Sequence, residues 1–220
     1  YKMGNVIVST GRGGTGKTTF AALASKYLSA PLLLIDIDPD QSLADMLGIN
    51  LEEREVRTVS DALYDVEKKK GYEELDSMPL PDKVGYLLER DCLYESEKFD
   101  LISLGAKWTE GCYCAPDSLL RVFIPRLAKN YENVVIDSPA GLEHLNRKVI
   151  SDVDDLFVLS DPSDKSIKHI ERIKKIAKEI GVIYRHFYLV ANHEFDNETE
   201  GYLQRADGTY LGRMDYDDNV

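Results

Sequence analysis

Five short apolar runs mark out the chain: NVIVS (5–9), PLLLIDID (31–38), ENVVIDS (132–138), DLFVLSD (155–161) and RHFYLVANH (185–193). Their apolar residues are contiguous and do not alternate with polar ones, as in strands covered on both faces. Between the first two, KTTFAALASKYL (17–28) has a helical pattern. Between the last two, isoleucines at 167, 170, 173, 176 and 180 form one helical stripe, and Gly181 stands where a helix-ending glycine belongs. Buried strands alternating with amphipathic helices predict a doubly wound, mostly parallel α/β sheet, with residues 1–220 as a single domain. The stretch 50–100 is polar and includes EKKKGYEEL (67–75). It reads as helices and loops laid outside the sheet, and the charge run as a solvated face.

Composition narrows the partners. A net charge of −12 argues against a nucleic-acid partner, whose backbone calls for clustered Lys and Arg, and against an anionic membrane surface. No apolar run approaches the roughly 18 residues that a membrane span needs. Three cysteines in 220 residues are no disulfide framework, and no signal-peptide pattern precedes the first strand, so the expected setting is a reducing cytoplasm.

The chemistry begins in GRGGTGKTT (11–19), which contains G-x-x-x-x-G-K-T from Gly11 to Thr18 between a predicted strand and a predicted helix. Glycines let backbone N–H groups converge on phosphate oxygens, so Gly13, Gly14, Thr15 and Gly16 form the cradle and Thr19 continues it. Lys17 reaches the β/γ-phosphates, and Thr18 offers its hydroxyl to Mg2+. The helix that opens here turns its positive end to the nucleotide. Asp36 and Asp38 end the second apolar run on one side of it, at the edge where open α/β sheets bind ligands. Asp137 ends NVVID, the pattern of a strand-end aspartate that binds Mg2+ through water, and SPAG follows as a switch with Gly141 free to turn. His144 and His193 read as surface or hydrogen-bonding residues, not metal ligands.

With Arg12 ahead of Gly13 and Gly14, the loop resembles the deviant Walker A group of nucleotide-dependent dimers. That group includes MinD and ParA partition ATPases, nitrogenase iron protein and metal-insertion ATPases. Their pattern is K-G-G-x-G-K-T, and its first lysine crosses to the partner's nucleotide. Here Arg12 stands in its place, keeping the charge and able to fork onto two phosphate oxygens. The resemblance implies ATP and Mg2+ as cofactors and a homodimer as the working form. It puts Asp38 at the position that orients the attacking water, Asp36 in support of the Mg2+ shell, and Asn192 at the position whose amide reads adenine. LGRMDYDDNV (211–220) is similar to the group's L-G-x-x-P-x-D turn beside adenine, without the proline.

AGLEHLNR (140–147) and GCYCAPDSLLRVFI (111–124) resemble the CooC-type ATPases that mature nickel-containing carbon monoxide dehydrogenase and acetyl-CoA synthase, whose pattern is G-C-x-C-P. Cys112 and Cys114 are half of a tetrahedral thiolate site, for which a structural Zn2+ takes four ligands. The group's two-fold dimers would supply the other half from a second copy. The resemblance therefore implies Ni2+ or Zn2+ at a dimer interface and an apo nickel enzyme as client. Two alternatives stand beside it: a positioning or regulatory switch with structural cysteines, and an iron–sulfur carrier. Cys92 reads as an ordinary buried thiol.

Overall fold

The computed structural model describes residues 4–67, 77–105, 125–140 and 152–217. Strand β1 (Asn5–Gly11) leads through a glycine-rich turn into helix α1 (Lys17–Tyr27), then strand β2 (Leu32–Asp36) and the short α2 (Ser42–Met46). Helices α3 (Val59–Glu67) and α4 (Leu80–Asp91) precede β3 (Tyr94–Glu95) and β4 (Asp100–Ser103). A 3-10 turn at Ala128–Asn130 enters β5 (Asn133–Asp137). The remainder is β6 (Asp152–Ser160), α5 (Asp164–Ile180), β7 (Ile183–Asn192), α6 (Asn197–Arg205) and β8 (Thr209–Met214).

The strands form one sheet in the order β3-β4-β2-β5-β1-β6-β7-β8. Every pairing is parallel except β3 with β4. The expected doubly wound sheet is therefore present. Alternation sends one set of strand residues to each face. Val6, Val8, Ile35, Ile136, Leu156 and Val158 pack on one side with Ile170 and Ile173 of α5. Ile7, Leu32, Leu34 and Val135 pack on the other with Ala21 and Ala22 of α1 and Leu43 and Ala44 of α2. The isoleucine stripe is thus the buried face of α5. That helix starts at Ser163, whose side chain accepts the Ser166 N–H, and ends at Gly181 with φ 73°.

Two expectations are corrected. The stretch 50–100 does not lie wholly outside the sheet, because Tyr94–Glu95 pairs with Leu101 and Asp100 as an edge hairpin. The sheet also holds β4 and β8 beyond the five predicted strands. β4 is only four residues long, and β8 is an edge strand with no fully buried residue.

β1 lies between β5 and β6. The chain leaves its carboxyl end through α1 to one side of the sheet, while β6 and β7 fill the other. This reversal opens a crevice at the carboxyl ends of the strands, where the candidate site is built.

Candidate nucleotide site

Register decides which side chains meet. Asp36 pairs with Asp137 across β2 and β5, and Ser9 pairs with Asp137 across β1 and β5. All three share the parity of Ile7, Leu34 and Val135, so they project toward α1 and α2. Two fully buried carboxylates therefore stand side by side beneath the start of α1. Asp36 accepts the backbone N–H of Asp38 at 2.9 Å and that of Leu43 at 3.1 Å, which ties the end of β2 to α2. Burial and the charge of Asp137 push the Asp36 carboxyl up to about 7, against these two N–H donors. Asp137 accepts the Ser9 hydroxyl at 3.1 Å through Oδ1, while its buried Oδ2 has no hydrogen-bond partner. Burial raises its pKa, opposed by the Thr18 and Ser9 hydroxyls and the charge of Lys17. A buried carboxylate oxygen left without a donor, beside the Thr18 hydroxyl, fits the hydrated shell of Mg2+. Such an ion would neutralise charge on bound phosphates; Asp137 and Thr18 would hold it.

The loop between β1 and α1 is strung from its own backbone. Lys17 is buried, and its Nζ donates to the Arg12 carbonyl at 2.9 Å; the Thr15 hydroxyl donates to the same oxygen at 2.9 Å. Burial lowers the Lys17 pKa, and the charges of Asp137 and Asp38 act against it. The Arg12 side chain turns away and donates to Ser163 Oγ at 3.1 Å, with Asp161 Oδ2 at 3.7 Å. In this chain alone, then, Arg12 is held in cis by the loop between β6 and α5. Asp38 lies just past β2, partly buried, and its Oδ1 accepts the Asp40 N–H at 3.1 Å.

The end of β7 grips the loop from the opposite side. Asn192 Nδ2 donates to the Thr15 carbonyl at 3.1 Å, and His193 Nε2 lies 2.7 Å from the Gly14 carbonyl. Gly16 has φ 86°, and a Cβ there would overlap the Asn192 amide, so only glycine suits this helix start. A cleft of about 670 Å3 continues outward, lined by Thr19, Asn192, His193, Phe195, Arg213 and Tyr216 among others. The loop end of this surface holds Lys17 beside Asp137 and Asp38, and the cleft end holds Phe195 and Tyr216 with Glu194, Arg213 and Asp215.

Lys17, Thr18, Asp36, Asp38, Asp137, Asn192 and the residues Gly13–Thr19 thus converge at one sheet edge. Ser9, Ser163 and Asp161 join them from positions with no local motif. Cys112, Cys114, Gly141 and His144 lie outside the described residues. Among the described residues, no group of three or more His, Cys, Asp or Glu could hold a metal ion, and no helix is long and apolar enough to cross a membrane. Cys92 is fully buried with its thiol toward the Thr58 carbonyl, and burial pushes its pKa up to about 12.

Comparison with known proteins agrees with this geometry. An uncharacterized ATP-binding protein of Methanocaldococcus jannaschii is 35% identical over 224 residues, covering 98% of this chain and 86% of the relative. The carbon monoxide dehydrogenase accessory protein CooC of Rhodospirillum rubrum is 29% identical over 184 residues, covering 80% of this chain and 70% of CooC. The septum site-determining protein MinD of Pyrococcus horikoshii, solved with Mg-ADP, superposes with a TM-score of 0.62 at 21% identity, covering 98% of this chain and 82% of MinD. The AAA domain family matches residues 3–187. With its phosphate loop built and its sheet wound as in MinD, the chain belongs to the AAA domain family of P-loop ATPases.

Proposed function

We propose that the protein is a Mg2+-dependent ATPase that closes into a homodimer on ATP, binds Ni2+ or Zn2+ through Cys112 and Cys114 of two copies, and assists nickel insertion into carbon monoxide dehydrogenase or acetyl-CoA synthase. The observation that carries the ATPase is the meeting of Lys17, Thr18 and the partnerless Asp137 Oδ2 at one sheet edge. In this reading Lys17 leaves the Arg12 carbonyl for the phosphates, and Asp38 orients the attacking water. Asp36 supports the Mg2+ shell from the adjoining strand. Arg12 leaves Ser163 to bridge to the partner's nucleotide, and Asn192 serves the base as well as the loop. The metal-insertion part is supported by the likeness to CooC and by the C-x-C spacing. The metal is cargo, held by thiolates that must lose their protons to bind it.

Elemental analysis with gel filtration, with and without Ni2+ and ATP, tests this reading. One nickel or zinc per dimer, with mass doubled by ATP or by metal, is the expected result. A dimer that forms on ATP but never holds metal would replace the insertion role with that of a switch. An iron–sulfur cluster would make the protein a carrier.

A further inference from the structure

We infer that His193 is a positioning residue for the phosphate loop, acting through its Nε2–H on the Gly14 carbonyl. The inference rests on the ATP reading of that loop and adds a residue outside its motif. A carbonyl oxygen accepts, so at 2.7 Å His193 Nε2 carries the hydrogen and donates it. The neighbouring Asn192 donates to the next carbonyl, that of Thr15, at 3.1 Å. Peptide units are planar and trans, so a C=O and the N–H of the same unit point in opposite directions. Fixing the carbonyls of residues 14 and 15 toward β7 therefore aims the N–H groups of Thr15 and Gly16 away from β7. Two consecutive N–H donors held in one direction are what a phosphate oxygen needs from such a loop. Gly13 and Gly14 are exposed, and an added Cβ at Gly14 would meet nothing within 4 Å, so no side chain packs over Gly14 to hold it in place.

His193 also has φ 70°, one of three positive-φ non-glycine residues among those described. Outside glycine a left-handed backbone is uncommon, and histidine, with asparagine and aspartate, is among the residues that adopt it most often. The next turn fixes that conformation, with the Phe195 N–H donating to the His193 carbonyl at 3.1 Å. It carries the imidazole over the loop from a strand end that β6 and β8 hold in register.

Two substitutions separate the hydrogen bond from the backbone conformation. A glutamine amide nitrogen reaches about as far as Nε2 of histidine, whereas that of asparagine stops near Nδ1. Asparagine, however, tolerates a left-handed backbone better than histidine or glutamine. If the bond to Gly14 is what matters, His193→Gln keeps Mg-ATP affinity within about twofold and His193→Asn weakens it about tenfold. Backbone 15N relaxation of Gly14, Thr15 and Gly16 in the nucleotide-free protein should show the loop loosened in His193→Asn and rigid in His193→Gln. Thermal melting checks that both variants fold. His193→Asn matching wild type, or the two variants behaving alike, overturns the proposal in either measurement. If wild-type protein binds no Mg-ATP, the ATP reading falls, and the relaxation data alone decide the role of His193.

Discussion

Gly14 and Gly16 both have a left-handed backbone, φ 76° and 86°, yet alanine should act differently at the two. At Gly14 nothing lies within 4 Å of an added Cβ, so Gly14→Ala carries only the left-handed penalty, about 1–2 kcal/mol. At Gly16 the Cβ overlaps the Asn192 amide and comes within 3.4 Å of Met214 Cε. Asn192 must then swing away and release the Thr15 carbonyl, which adds about 0.5–1.5 kcal/mol. Gly16→Ala should therefore total about 1.5–3.5 kcal/mol. The loop can keep its shape and lose folding stability, or leave it and lose ATP affinity. Urea unfolding and calorimetric Mg-ATP titration are therefore read together, and their sum is compared. Asn192→Ala removes the same hydrogen bond by itself. The double variant Gly16→Ala/Asn192→Ala should fall short of the sum of the singles by about 0.5–1.5 kcal/mol, because the bond is lost only once. Strict additivity, or Gly14→Ala as damaging as Gly16→Ala, would refute the account of the loop being clamped by β7.

Asp38→Ala should bind ATP near wild-type affinity while its turnover falls and the closed dimer accumulates, measured by single-turnover hydrolysis and gel filtration; lost affinity with unchanged turnover would remove Asp38 from water orientation. Cys114→Ser should lose metal binding and metal-driven dimerisation together, since symmetry removes two thiolates at once, and a monomer retaining one metal at full affinity would exclude a shared site. For pH, a carboxyl raised to about 7 by folding binds its proton in the native state and not in the unfolded state between pH 4 and 7. Its contribution to stability is therefore full below pH 4 and is lost as the pH rises through 7. The urea stability of wild type should accordingly fall relative to that of Asp36→Asn from pH 5 to pH 8, and a relative rise would contradict the burial argument.

The sheet was legible where strands are buried on both faces. NVIVS, LLLID, NVVID and the cores of β6 and β7 carry their own signal in contiguous apolar residues. β4 was missed because four residues preceded by a charged stretch offer no period. β8 was missed because an edge strand with Gly212 and Arg213 is only half covered. The phosphate loop and Asp137 were equally legible, since their chemistry sits in consecutive residues. What surrounds them was not. Ser9 meets Asp137 across 128 positions, Arg12 meets Ser163 across 151, and His193 meets Gly14 across 179. Such contacts are products of register and crossover, and no local spacing encodes them.

Arg12 ties the loop twice, its carbonyl engaging Lys17 and its guanidinium engaging Ser163. The loop's two cations, Arg12 and Lys17, are thus both engaged within the chain. Any ligand taking Lys17 must replace a charge-assisted hydrogen bond of about 1.5–3 kcal/mol, which weakens a simple competitor by roughly ten- to a hundredfold. A single orthophosphate or sulfate ion meets that barrier with few contacts to offset it. A triphosphate arriving with its metal recruits the loop amides, Thr18 and Asp137 in the same event. A loop tied in this way should therefore take a polyphosphate, which can engage every part of it at once, in preference to a single inorganic anion.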